Sequence, residues 1–465
     1  MCRVHLNRPI CRGLVVSAVI LLLVLLGVGV QPPGAVAAAV NERWVSVSGS
    51  DAAAGTQAAP WRHIQYALDH TPPTAPGLIH VGPGTYQEQV YITRAVTLRG
   101  SKTSEVIVEN PVDSTYTYPG GLPDVGDPSF VVRAEGAFDV TLSDLTVNGR
   151  HSFSTGTPGI KAVQAGLTLQ RVDVLIPDRV GIVLKDLDQS GRTFRIEESS
   201  IKTKVAAGSF GTDLGIQVIE SSGVISHFTG GTEIDHVIHI AGGHDVLIEH
   251  STIHGSTVVY WADGIRAWSG NVRIVDTTIV RPNKGPFGDA VLPPANDPVY
   301  APQQPYAGIE AVNHGGVGVS ALHLSIDGCR VQGFDEALGI YVRGQTTSGP
   351  QPRANTIKVQ NSWLTGRVAD VATRWQAGWT DQPAIDLGGG SLGSVGNNDL
   401  GRRQIVLPGS PFPSPFPSEP KPWGFYHRAP YDVTAYNNAW TTPVDKIDER
   451  IWDRLDQHGL GRVKY

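Results

Sequence analysis

The chain has 465 residues, a formal charge of −6, 40% hydrophobic residues and only 17% charged ones. Such a balance excludes a disordered polyelectrolyte, and the acidic excess excludes a dedicated nucleic-acid binder, which carries a basic surplus. Gly (54) and Pro (33) are abundant, so many turns and few helices are expected.

In chain order, Arg3, Arg8 and Arg12 precede the apolar run Leu14 to Val30, and Ala35-Val36-Ala37 offers a small-residue cleavage site. This reads as a secretory signal peptide over residues 1–37 and a secreted or cell-surface protein. Membrane attachment follows only if that segment stays uncleaved. Cleavage removes three positive charges, no acid, and both Cys2 and Cys11. Cys329 is then left without a disulfide partner, so stability must rest on burial and backbone ladders. The stretch Trp61 to Leu68 has apolar residues at helical spacing and predicts an N-terminal capping helix.

From residue 142 the body repeats. An apolar residue, two variable residues, a residue that is small in most copies, one more variable residue and a second apolar one recur. The copies start at Leu142, Leu169, Ile196, Ile248, Ile274, Ile326 and Val359. Start-to-start spacings are 27, 27, 52, 26, 52 and 33. The first long gap covers a degenerate turn at Val224-Ile225. The second carries a Pro/Gly-rich insertion, Pro282 to Pro305. A strand marked by Gly-Ile precedes most copies, as at Gly159, Gly181, Gly215, Gly264, Gly308 and Gly339. Short strands without intervening helices, at a period near 26, predict a parallel β-solenoid in which each turn stacks on the last. Ser199, Ser251, Thr277, Cys329 and Ser362 then form an inward column of small residues, which makes Cys329 a packing residue rather than a reactive thiol. Pro408 to Pro422 reads as a loop before the end of the chain. Ile447, Ile451 and Leu455, at i, i+4 and i+8, predict a C-terminal capping helix. The expected organisation is a signal peptide at 1–37, a solenoid with its N-terminal helix at 38–425, and a final strand with a capping helix at 426–465.

Trp44-Val-Ser-Val-Ser-Gly-Ser-Asp51, Ala59-Pro60-Trp61 and Ile79 to Glu88, closing at Val96-Thr-Leu-Arg-Gly100, resemble the opening of secreted pectin-lyase-like proteins. Asp386 to Asn398 and Tyr436-Asn-Asn-Ala-Trp440 are similar to the closing turns of uncharacterised bacterial members. The resemblance implies an all-β fold, a right-handed single-stranded parallel β-helix with short capping helices at both ends. It is specific for fold and poor for activity. The match to pectin methylesterases is strongest in Gly84-Thr-Tyr86-Gln-Glu88, yet the catalytic Gln-Asp and Asp-Phe-Ile-Phe-Gly segments of those enzymes are missing. The polygalacturonase and alginate-epimerase signatures are missing too.

The resemblance implies a site in a groove along one sheet face. Because the isoleucine of Gly-Ile points inward, the next residue points out. Stacking then aligns Lys161, Val183, Gln217, His239, Arg266, Glu310, Tyr341 and Asp386, with the glycines two positions earlier as a flat floor. Trp268 shares the outward phase of Arg266 and suits stacking on a sugar. Elimination needs a base and a cation to hold a uronate carboxylate: His239 or Tyr341, with Arg266. Hydrolysis needs two carboxylates: Glu310 with Asp263 or with Asp386. Lys161, Gln217, Trp268 and Asp386 are the candidate substrate-binding residues. Alternatively, Arg266 and Glu310 simply pair as a surface ladder.

Two metal readings arise. His236, His239, His244, His250 and His254 cluster, but a strand-turn splays such side chains, so solvated turn histidines and no metal are expected. Asp186, Asp188, Ser190 and Glu197 meet calcium-loop spacing, but between strands rather than helices, which favours a plain solenoid turn. The expected function is therefore extracellular binding of a polysaccharide or cell-surface glycan; catalysis is left open by the sequence, and if the protein is an enzyme it is a polysaccharide lyase or a glycoside hydrolase. The alternative is a non-catalytic, adhesin-like structural β-helix.

Overall fold

The computed structural model describes residues 41–465 except 73–76, 112–129, 150–157, 177–179, 204–213, 232–233, 235, 256–262, 282–306, 314–319, 335, 343–354, 367–368, 375–381, 401–422, 429–430, 441–445, 449–450 and 454–460. The segment expected to be a signal peptide, the insertion Pro282 to Pro305, the loop Pro408 to Pro422, nearly all of the stretch Pro111 to Pro128, and Leu455 lie outside the described residues.

Each turn of the chain lays down three short strands. One turn runs through Val246–Glu249 and Thr252–His254 into Asp263–Val275, whose second half begins the next turn. Each strand pairs in parallel with the strands one turn before and after it, which builds three ladders around an aliphatic interior. The protein is a parallel β-helix. The first ladder holds the leading apolar residue of each repeat and the second ladder the trailing one. The third holds the Gly-Ile strands.

The expected vertical neighbours are real ones. Ile248 faces Ile274, which faces Ile326. All three are fully buried, and each such side chain stabilises the fold by about 1.5–3 kcal/mol. Val224-Ile225 belongs to a genuine rung, paired to Phe194–Glu197 on one side and Val246–Glu249 on the other. The repeat conceals a corner, however. Its two apolar ends sit on different ladders, separated by a residue in the left-handed conformation: Glu198 (φ 49), His250 (φ 48), Asp276 (φ 45) and Asn361 (φ 53). Such a residue costs roughly 1–2 kcal/mol. The small residue after it offsets that cost. Ser251 Oγ donates to Glu249 O (2.8 Å) and accepts the Phe228 amide of the previous rung (3.2 Å). Thr277 Oγ1 likewise donates to Val275 O (2.9 Å) and accepts from Ser251 N (3.4 Å). Cys329 takes the same place. Its thiol is buried, contacts Ile274 O and Asp327 O (both 3.4 Å), and is pushed up to about 12 by burial, which keeps it unreactive.

The N-terminal helix forms as expected, over Ile64–His70, with Ile64, Ala67 and Leu68 buried. Its own N-cap, His63, makes no side-chain cap bond. Instead Glu88, on a later rung, accepts from the Ile64 and Gln65 amides at 2.8 Å each. Burial raises the Glu88 carboxyl, and these two amides work against that shift. Tyr86 OH donates to Gly82 O (2.8 Å). The Gly84 to Glu88 segment is therefore a device for seating the cap. The C-terminal helix is not what the described residues show. Lys446–Asp448 make a single 3-10 turn, while Ile451–Trp452 are a strand paired with Trp423–Arg428. Ile447 and Ile451 are buried because the chain adds another rung there, and i, i+4 spacing does not distinguish the two outcomes over so short a stretch. Glu88→Ala should destabilise the fold by about 1–3 kcal/mol, since it leaves two buried amides unsatisfied; a denaturant midpoint unchanged from wild type would refute this capping role.

Candidate functional site

The site is built on the outward face of the third ladder. Lys161 faces Val183, Val183 faces Gln217, Gln217 faces His239, His239 faces Arg266 and Arg266 faces Glu310. The structure thus brings five expected site residues, Lys161, Gln217, His239, Arg266 and Glu310, into one column. Trp268 follows on the Arg266 strand and packs edge-on to His239, with ring centroids 4.5 Å apart. Asp263 begins the same strand, 3.2 Å from Arg266 Nε.

Two members are misplaced by the sequence reading. Gly339 is the residue opposite Glu310, and Tyr341 stands two places on, opposite Val312. Gly339-Ile340 looks like another Gly-Ile, but the pairings are Ile309 with Leu338 and Ala311 with Ile340, so the register moves by two. Asp386 is not on this face at all. It lies on the first ladder, opposite Lys358 and Thr434. There it accepts the amides of Gly388, Gly390, Leu392 and Ser394 at 2.9–3.1 Å and organises the Gly-rich loop.

The glycine floor is also overturned. A Cβ at Gly308 would lie 2.2 Å from Val331 Cγ1, and one at Gly264 would lie 2.6 Å from Ile279 Cγ2. Those partners are core residues of the second ladder, so the glycines face inward and let a corner close. The kink that turns them inward aims the first and fourth residues of each strand outward together. That is how His236, at the position of Asp263, joins the site. The repeated spacing of three, His236 to His239 and Asp263 to Arg266, was the available signal. Glu336 joins in the same way, opposite Ala307. The expected solvated histidines therefore divide: His236 and His239 are buried, whereas His244 and His250 are exposed or half-exposed.

Around Arg266 the groups form a closed set. Its Nε faces Asp263 Oδ2 (3.2 Å) and contacts Glu310 Oε2, and its Nη1 donates to His236 Nε2 (3.1 Å). His236 Nδ1 is 3.3 Å from Asp263 Oδ2. Side-chain exposure is 18% for Arg266, 7% for His236, 5% for Asp263 and 4% for Glu310. Burial, then the Asp263 charge, pushes the Glu310 carboxyl up to about 8, with Arg266 opposing. Burial, then Arg266, pushes His236 down to about 3. Burial raises Asp263 as well, against the pull of Arg266. At neutral pH Glu310 is thus a carboxylic acid that hydrogen-bonds Asp263, and His236 is neutral. Tyr341 OH donates to Glu336 Oε2 (2.6 Å), and both groups are buried. A Cβ at Gly339 would fall 2.7 Å from Tyr341 Cε2 and 2.8 Å from Glu336 Oε2, so ring and carboxylate lie over the rung that follows Glu310.

Arg266 and Glu310 do pair, but as a buried set rather than a surface ladder. Asp263 and Glu310 touch, which is closer than the roughly 5–10 Å that separates the two carboxyls of a glycosidase. Arg266 is already engaged by Asp263, Glu310 and His236, which counts against its holding a uronate carboxylate. Among the described residues no group of three His, Cys, Asp or Glu side chains converges to hold a metal ion. In the candidate calcium loop, Asp188 accepts from Ser222 Oγ (3.0 Å) and faces His244 Nδ1 (3.0 Å).

Residues 47–267 match the family model described as a protein of unknown function, DUF1565. No curated protein matches the chain. Solved structures do. The catalytic domain of a GH87 alpha-1,3-glucanase in complex with nigerose is 12% identical, with a TM-score of 0.39, covering 94% of this chain and 70% of that one. A pectin methylesterase from Erwinia chrysanthemi is 12% identical, with a TM-score of 0.30, covering 72% and 81%. A GH136 lacto-N-biosidase from Eubacterium ramulus is 13% identical, with a TM-score of 0.35, covering 74% and 67%. At such identities and scores the fold rests on the ladder registers of this chain itself.

Arg266→Ala should destabilise the protein by about 3–5 kcal/mol, because it strands Asp263 and Glu310 in a buried site. Thermal melting at pH 7 checks this, and an unchanged midpoint would mean the cluster is not held by Arg266.

Proposed function

We propose that the protein is exported and acts on a glycan at the outward face of the third ladder, with Glu310 as general acid. The observation that supports this is a carboxyl kept protonated up to about pH 8, which is the state a proton donor to a glycosidic oxygen requires at neutral pH. Asp263 and Arg266 set that state. As the glycosidic C–O bond breaks, the Glu310 proton passes to the leaving oxygen and the leaving sugar departs as an alcohol; a water oxygen then bonds to the anomeric carbon and its proton returns to Glu310. Glu336 is the second carboxylate in this reading. Its Oε2 lies over Gly339, the residue opposite Glu310 on the next rung, from where a carboxylate would stabilise or attack the anomeric carbon of a bound sugar. Trp268, Gln217 and Lys161 extend the face along which a saccharide would lie. Hydrolysis is preferred to elimination because elimination needs Arg266 free of its carboxyl partners. Export rests on the N-terminal signal segment. Among the described residues no helix is long and apolar enough to cross a membrane.

One observation favours the non-catalytic reading instead: the charged groups around Arg266 are mutually satisfied and largely buried. A panel of neutral and uronate polysaccharides separates the two, read by new reducing ends and by absorbance of unsaturated ends. Hydrolysis predicts reducing ends without unsaturated ones, and a loss of about 100-fold or more in Glu310→Gln. Unsaturated ends would transfer the chemistry to elimination, and silence on every glycan would leave the structural β-helix. The same variant tests the protonation state. Folded Glu310 keeps its proton up to about 8 against an ordinary 4.5, so its contribution to stability is complete below about 4.5 and is lost as pH rises towards 8. The melting temperature of Glu310→Gln should lack the part of the wild-type decline that falls in this window.

A further inference from the structure

The outward face of the first ladder carries a separate feature at its opening rungs. Trp44 faces His80 and His80 faces Arg99 in adjacent strands. The Trp44 and His80 rings stack, with centroids 4.8 Å apart and planes 16° from parallel. With Ser46, Gln57 and Ser101 they line a groove of about 350 Å³, at the low end of small-molecule sites and suited to a short saccharide. None of these residues belongs to the third-ladder site.

The lining determines what the groove would accept. An aromatic wall suits the C–H face of a sugar ring, and hydroxyl and amide groups beside it suit sugar hydroxyls. Arg99 supplies one exposed cation. The acid that feels its charge, Asp144, has both carboxylate oxygens accepting from Arg171 (2.6 and 2.9 Å). The Glu42 carboxylate is turned to His80 Nε2 (3.4 Å). Among the described residues Arg99 is the one guanidinium that lines the groove, and a guanidinium matches a single carboxylate. A peptide strand is disfavoured, since the edge next to Trp44 is closed: Trp61 N donates to Trp44 O (2.9 Å) and Ser46 N donates to Trp61 O (2.8 Å). A polyanion such as nucleic acid is disfavoured by the acidic net charge.

We propose that this groove binds a carboxylate-bearing sugar unit of a glycan, with Arg99 pairing the carboxylate and Trp44 contacting the ring. It holds whether or not the third ladder is catalytic. The probes are a β-1,4-linked tetraglucuronate and cellotetraose, which share a backbone and differ only in the carboxylates, titrated calorimetrically into the full chain. The tetraglucuronate should bind at least 10-fold more tightly than cellotetraose. Arg99→Gln, a substitution at an exposed residue, should erase that preference without moving the melting temperature. Trp44→Phe should weaken binding of both. Equal affinity for the two probes overturns the acidic class. Wild-type affinity in both variants, or no binding at all, overturns the site. Each of these outcomes is read without reference to Glu310 or to glycan cleavage.

Discussion

A hydroxyl placed just after a left-handed corner ties several successive rungs of this protein to their neighbours. Ser251, Thr277 and Ser362 each donate to a carbonyl two residues back in their own rung and accept an amide from the rung before. Asn398 and Asn438 continue the column, accepting from Ser362 N and Asn398 N (3.0 and 2.9 Å). One such bond is worth only about 1 kcal/mol. Repeated up the stack, it pins the register, because a slip of one residue would turn every inward side chain out. With the register pinned, any residue on one face has a known vertical neighbour about one strand spacing away.

That spacing accounts for the electrostatics of the third ladder. Side chains of His236, Asp263, Arg266 and Glu310 are brought within contact of one another and then withdrawn from water. Two carboxyls at such proximity, off water, cannot both ionise freely. One guanidinium stabilises one charge well, and the remaining carboxyl retains its proton. The histidine beside the same guanidinium is kept neutral. A set of groups that would be unremarkable at the surface thus becomes an acid, a base form and a cation with fixed assignments.

Much of this is legible in the sequence. The apolar columns, the small-residue column with Cys329, and the run Lys161, Gln217, His239, Arg266, Glu310 follow from spacing, because a parallel stack converts sequence period into height. Three local decisions were not legible. Gly308 and Gly264 face inward, since the entrance to each third-ladder strand is kinked by packing against Val331 and Ile279. The strand at Glu336–Val342 joins its neighbour two residues out of the expected register, which removes Tyr341 from the column and admits Glu336. Asp386 falls on the first ladder, opposite Lys358 and Thr434, where four amides of the following loop take its carboxylate.

By itself, then, the sequence determined the winding of the chain, its period, the inward aliphatic and small-residue columns and which face carries the mixed polar column. All of these depend on hydrophobic periodicity and on the residue type that each corner tolerates. Only the tertiary structure decided which charges meet, which of them lose contact with water and which keep a proton. Those outcomes arise from shifts of one or two residues in register and from the depth of burial, and neither leaves a trace in the spacing of residues along a single turn.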